Sequence, residues 1–197
     1  MRVRLHHGTY TLGDGSVDYI GSRLATMGLR VDDVAVPRYS CFGVGFPPIR
    51  RKLVETIVDN HKPGDIWLSH SGGSYLEYLA MKDYGCEPSL VVWLSPAIRS
   101  NISLEFCRFE HLHVYSNCLD KVIFLASLLP GHPYGAMGRR GYTGLDERIE
   151  NHRYMIDDET WLDHCPWTVD GPLNAIVKLI HNHYLSGGMR DCSAFLP

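Results

Sequence analysis

Ser71 ends a short apolar run and opens a helical pattern: Asp65-Ile66-Trp67-Leu68-Ser69-His70-Ser71-Gly72-Gly73, then Leu76, Leu79 and Ala80 at near-helical spacing. The order predicts a strand, a sharp turn with the serine at its apex, and a helix. A turn of this kind holds the hydroxyl out for attack. It requires small flanking residues, because strand and helix backbones nearly touch. The usual pattern is Gly-x-Ser-x-Gly; here Ser69 stands in the place of the first glycine. The competing reading of the same residues is a plain strand-to-helix turn with a capping serine.

A serine hydroxyl attacks well only when a general base takes its proton, usually a histidine oriented by a carboxylate. In doubly wound hydrolases these follow the serine in the order acid, then histidine, with the acid just past the end of a later strand. Asp120 meets this requirement, because the strand pattern Leu112 to Tyr115 runs into Ser116-Asn117-Cys118-Leu119-Asp120. No apolar strand leads directly into Asp146, Asp157 or Asp158. The competing role for Asp120 is the N-cap of a helix over Val122 to Leu129. Among the later histidines, His181 and His183 fall within a helical pattern, and His132 and His152 lie in or near a glycine-rich stretch. His164 sits in Trp161-Leu162-Asp163-His164-Cys165-Pro166-Trp167, a loop just ahead of the closing helix, and is the preferred base. Two backbone N–H groups are needed for the developing oxyanion. Gly72, after the serine, supplies one. Thr9, in His7-Gly8-Thr9 after the first strand, supplies the other. Tyr10, Trp161 and Trp167 are candidates to line an apolar pocket, or to pack the core instead.

The elements that would position these groups alternate. Val3 to Leu5, Asp33 to Val36, Ile66 to Leu68, Leu90 to Leu94 and Leu112 to Tyr115 read as strands. Ile20, Leu24 and Met27 mark one helix, and Ile49, Leu53 and Ile57 mark another opened by Pro47-Pro48. A helix runs from Pro172 to Tyr184. The glycine-rich stretch Gly131 to Gly144 reads as a long loop, Tyr154 to Asp170 as irregular, and Gly187 to Pro197 as a loose tail. The continuous apolar run Leu90-Val91-Val92-Trp93-Leu94 is that of a strand covered on both faces. Alternation of this kind predicts an α/β fold: a doubly wound, mostly parallel sheet with helices on both faces, in one domain spanning residues 1–197.

Together these pieces resemble the alpha/beta-hydrolase superfamily, and within it the lipase-like serine esterases. His7-Gly8-Thr9 is similar to the family's oxyanion loop, and Ser69-His70-Ser71-Gly72-Gly73 to its elbow. Asn117-Cys118-Leu119-Asp120-Lys121-Val122, leading to Leu128-Leu129-Pro130, resembles the acid segment of class 3 lipases. His164 falls where that family's histidine would. The resemblance implies hydrolysis of a carboxylic ester of a small molecule or lipid through an acyl-enzyme, with no cofactor and no metal. The chain is short for the superfamily, without the first antiparallel strands or a large cap. That is closer to small cutinase-like enzymes, with Gly131 to Gly144 as at most a modest lid.

Composition narrows the field. The 197 residues are 45% hydrophobic and 21% charged with a net charge of −3, so no phosphate-neutralising surface for nucleic acid is expected. No apolar run approaches the roughly 20 residues that span a bilayer. No apolar region follows the charges of Met1-Arg2-Val3-Arg4-Leu5-His6-His7, so a signal peptide is not expected and the expected location is cytoplasmic. The six scattered cysteines include no Cys-x-x-Cys and read as reduced thiols. A thioesterase or amidase could use the same three residues, and a non-catalytic hydrolase-like binding module is the third possibility. The close pairs among eleven histidines, His6-His7, His111-x-His113 and His181-x-His183, raise a metal site but bring no carboxylate or cysteine partner in sequence.

Overall fold

The computed structural model describes residues 1–8, 15–33, 44–128, 134–157 and 164–192. The elements in chain order are β1 (Val3–His6), α1 (Ser16–Thr26), β2 (Val31–Asp33), α2 (Pro47–Asn60), β3 (Ile66–His70), α3 (Gly72–Tyr84), β4 (Leu90–Leu94), β5 (His111–Asn117), α4 (Lys121–Ser127), α5 (Met137–Arg140), β6 (Ile149–Tyr154), a 3-10 turn (Pro166–Thr168) and α6 (Asp170–Cys192). The six strands form one sheet in the order β2-β1-β3-β4-β5-β6, and every neighbouring pair is parallel. The α/β fold with helices on both faces is therefore as expected, and among the described residues no antiparallel strand enters the sheet.

Strand alternation sorts the apolar residues into two cores. Ile66, Leu68, Leu90, Val92 and Leu94 face the side covered by α1 and α6, with Ile20, Leu24, Ile176 and Ile180 packed on them. Trp67, Val91, Trp93, Leu112 and Val114 face the side covered by α2 and α3, with Leu53, Ile57, Leu76 and Met81. β4 is buried along its whole length, as its unbroken apolar run requires.

Several boundaries differ from the sequence reading. The second strand is Val31–Asp33, earlier than expected, and residues 34–43 lie outside the described part. β6 was not anticipated. It is an edge strand with an intermediate-to-exposed pattern and the polar sequence Ile-Glu-Asn-His-Arg-Tyr, so it carries little apolar periodicity. The final helix starts at Asp170 and its backbone runs on to Cys192, through the segment read as a loose tail. The described part of the glycine-rich stretch, 134–144, contains α5 and is fastened down. Met137 N–H donates to the Ile98 carbonyl at 2.9 Å, and Arg139 donates to the Cys118 carbonyl at 2.8 and 3.0 Å. These bonds tie the segment to the stretches that follow β4 and β5. Among the described cysteines Cys86 and Cys107 are buried, Cys118 is half-buried and Cys165 is exposed.

The chain reverses direction across the sheet between β1 and β3. From β1 it passes through α1 to β2 on one side; from β3 it passes through α3 to β4 on the other. The carboxyl ends of β1 and β3 thus send their connections to opposite faces, which opens a crevice between them, the position where open parallel sheets bind ligands.

Beneath that crevice lies a buried polar cluster. Glu77, on α3, has no exposed surface. Its Oε2 accepts from Trp93 Nε1–H at 2.6 Å and from the Ser69 hydroxyl at 2.9 Å, and its Oε1 lies 2.5 Å from His6 Nδ1. Ser69 Oγ is also 3.0 Å from Ser74 Oγ. Ser69 is therefore more than a small residue tolerated in place of glycine: its hydroxyl ties β3 to α3. Replacing Glu77 by alanine strands Trp93 and His6 in the interior, while Ser69 keeps Ser74 as a partner. At about 1–3 kcal/mol for each unpaired buried group, Glu77→Ala is expected to cost at least about 2 kcal/mol in urea unfolding.

Candidate functional site

Ser71 stands at the crevice, between the last residue of β3 and the first of α3. Its backbone is at φ 54° and ψ −122°, a region that residues with a side chain rarely adopt. Three hydrogen bonds hold it there. Ser71 N–H donates to the Leu94 carbonyl at 2.9 Å, and the Ser71 carbonyl accepts from Ala97 N–H at 3.1 Å and Ser74 N–H at 3.3 Å. The bend is thus pinned by the end of β4 and by the first turn of its own helix.

The need for small residues has a source that the sequence did not reveal. A Cβ on Gly73 would lie 2.7 Å from the carbonyl oxygens of both His6 and His7, at the end of β1. A Cβ on Gly8 would lie 2.9 Å from the His70 carbonyl oxygen and 3.0 Å from Ser71 Cβ. The close approach is between the elbow and the end of β1, so glycine is required on both sides of that contact.

His164 and Asp120 meet. His164 Nδ1 lies 2.7 Å from Asp120 Oδ2. Asp120 is fully buried, and its other oxygen accepts from Ile123 N–H at 2.8 Å. The two roles weighed for Asp120 are both filled, one by each oxygen: it caps α4 and it grips an imidazole. The His164 carbonyl accepts from His70 Nε2 at 3.2 Å and from the Ser95 hydroxyl at 3.4 Å, and the His70 and His164 rings are 4.5 Å apart. His164 is therefore clasped by the residue that immediately precedes Ser71. Two residues behind the exposed Cys165, Trp167 is fully buried against Tyr115 and Tyr154 at 6.0 Å and anchors the segment. Trp167 is thus a core residue and not a pocket lining.

With Nδ1 engaged by a carboxylate, the other ring nitrogen of His164 is Nε2, the one a base uses on a hydroxyl. Gly72 opens α3, so its N–H belongs to the helix's leading donors, which have no partner within the helix. Gly8 lies against Ser71, the position required of an oxyanion loop. Thr9, Tyr10, His132, Asp158 and Trp161 lie outside the described residues. The alternative residues go elsewhere: His152 stacks on Tyr115 in β6, His183 pairs with Ser89 at 3.0 Å, and Asp146 is bound by Arg148 at 2.6 Å.

Sequence reasoning weighed His6 only as half of a possible metal-binding pair and passed over Glu77 and Ser95. A signal for the first two existed. Ser69 and His6 are polar residues in strands that must be buried, and Glu77 shares a helical stripe with Gly73 and Met81. Three polar groups on faces that must be buried require one another. Ser95, fully buried at φ 44°, carries no comparable signal.

Two outcomes follow from this geometry. Ser71→Gly removes the strain at the bend, worth about 1–3 kcal/mol, against an unfolded-state entropy cost below about 1 kcal/mol. The variant is expected to be about 1 kcal/mol more stable than the parent in urea unfolding. Burial pushes His70 below the ordinary histidine value of 6.5, opposed by the His164 carbonyl and the Asp120 charge. Its folded pKa is thus lower than its unfolded one, so its contribution to stability is complete above 6.5 and is lost as pH falls through the folded value. Between about pH 7 and pH 5, the parent should lose more stability than His70→Gln, measured as the shift of the urea midpoint. The chain matches no family model and no curated protein, so the site rests on its own geometry.

Proposed function

We propose that the chain is a serine hydrolase that cleaves carboxylic esters of small molecules or lipids, with Ser71 as nucleophile, His164 as general base and Asp120 as the acid that orients it. The observation that carries this reading is the clasp at His164. One face of the imidazole lies beside His70, the neighbour of a serine on a strained bend, while its Nδ1 is held at 2.7 Å by a fully buried carboxylate.

In the reaction, Ser71 Oγ attacks the acyl carbonyl carbon and its proton passes to His164 Nε2. Asp120 keeps Nδ1 protonated and stabilises the imidazolium. The carbonyl oxygen gains negative charge and is met by the N–H of Gly72 and of the loop after Gly8, with Thr9 as the second donor. The alcohol leaves with the proton from His164. Water, deprotonated by the same nitrogen, then releases the acid and restores Ser71.

The test is labelling with a fluorophosphonate and turnover of a short p-nitrophenyl ester. The adduct should map to Ser71, and Ser71→Ala should abolish both readouts while the protein remains folded. Asp120→Asn keeps a good helix cap but presents the wrong hydrogen-bonding group to Nδ1. Turnover should drop by about 10⁴ with little change in melting temperature. Retained turnover in Ser71→Ala, or a parent protein inert to both reagents, would sink the reading.

A further inference from the structure

We propose that His113, Glu150 and His152 form a binding site for a single divalent first-row transition ion, Zn²⁺ above all, on the β5/β6 edge of the sheet. The proposal is independent of the chemistry assigned to Ser71.

Register builds the cluster. β5 and β6 run parallel, with His113 beside Glu150 and Tyr115 beside His152. Residues two apart on a strand share a face, so His113, Glu150 and His152 all project from the same side. His111-x-His113 lacked a carboxylate partner in sequence because its partner belongs to a strand that the sequence did not announce.

Distances suit a metal. His113 Nδ1 and His152 Nε2 are 2.9 Å apart. Glu150 reaches both, with Oε2 3.6 Å from His113 Nδ1 and Oε1 3.6 Å from His152 Nε2. Two imidazole nitrogens bound to one zinc at about 2.0–2.1 Å stand about 2.9 Å apart at a right angle and about 3.4 Å apart at the tetrahedral angle. The observed triangle therefore closes on an ion with shifts of a few tenths of an ångström. Among the described residues this is the one group of three ligating side chains with such spacing.

The surroundings suit a bound ion with an open position. The His152 ring is stacked on Tyr115 with centroids 4.3 Å apart, and the His113 and His152 rings lie within 15° of parallel. The two nitrogens are thus held before any ion arrives. The His113 side chain is mostly buried, at 12% exposed, whereas that of Glu150 is 65% exposed. An ion would sit at the surface with three protein ligands and room for water, the arrangement of an open zinc site. Two imidazoles with one carboxylate favour Zn²⁺ and its neighbours over Ca²⁺ or Mg²⁺, which take oxygen ligands. An ion here would fasten edge strand β6 to β5.

The test uses the full chain, with any affinity tag removed and after treatment with a chelator. Zn²⁺ is titrated by calorimetry, and melting temperature is followed with and without the ion. The parent should bind one Zn²⁺ and melt higher in its presence. His152→Ala and His113→Ala should each weaken binding by more than about 100-fold, beyond the 10–100-fold typical of losing an outer-shell partner, and should abolish the thermal shift. Glu150→Gln is exposed enough to leave the fold intact and should weaken binding at least about tenfold. A double variant at His181 and His183 should bind as the parent does. Binding unchanged in His152→Ala and Glu150→Gln, or no binding of Zn²⁺ by the parent, would overturn the proposal.

Discussion

The contact between the end of β1 and the bend after β3 is the constraint on which the rest of the site depends. Backbone meets backbone there, with Gly8 on one side and Gly73 on the other, each without room for a methyl group. The carboxylate of Glu77 closes the same contact from below, joining His6 of β1, Ser69 of β3 and Trp93 of β4 to α3. Three neighbouring strands and the helix that follows the serine are thus held by one buried side chain. An unusual backbone conformation persists only where its surroundings over-determine it. At Ser71 they do so through the bonds to Leu94 and Ala97 and through the packing of β1.

The second half of the site reaches this point by a different route. Asp120 is fixed by capping α4, and His164 by a clasp on its carbonyl and by Trp167 sunk into the opposite core. Neither depends on a long flexible side chain. The carboxylate follows β5, the imidazole precedes α6, and Asn117 links the two stretches. Its side chain donates to the Ile156 carbonyl at 2.7 Å and accepts from Ile156 N–H at 3.0 Å. The segment leaving β6 is therefore aligned with the end of β5 before the chain returns at His164.

Much of this arrangement was legible in the sequence where burial leaves a strong pattern. The apolar run of β4 announced a strand covered on both faces, and the step from Leu68 through Ser71 to Leu76 announced the bend. Asp120 and His164 could be chosen from their positions after a strand and before a helix. β6 was not legible, because an edge strand with one face partly in water needs few apolar residues, and Glu150, Asn151, His152 and Arg153 look like loop. Glu77 was passed over for the opposite reason. Helical periodicity assigns a glutamate to solvent, and only the combined needs of Ser69, His6 and Trp93 turn it inward. The final helix was read short because Gly187 and Gly188 suggest an end, which the backbone does not make there.

A sheet whose described strands all pair in parallel has a consequence for how the chain assembles. Each strand must find a partner distant in sequence, as Val3 does with Ile66, so every pairing closes a long loop before it yields any contact energy. The bend at Ser71 gains its full support only when β1 has docked beside β3. Until then the two glycines meet nothing and the serine is free to relax. The bend is therefore fully braced only in a chain whose β1 lies on β3, and a chain without that pairing would carry these side chains without their geometry.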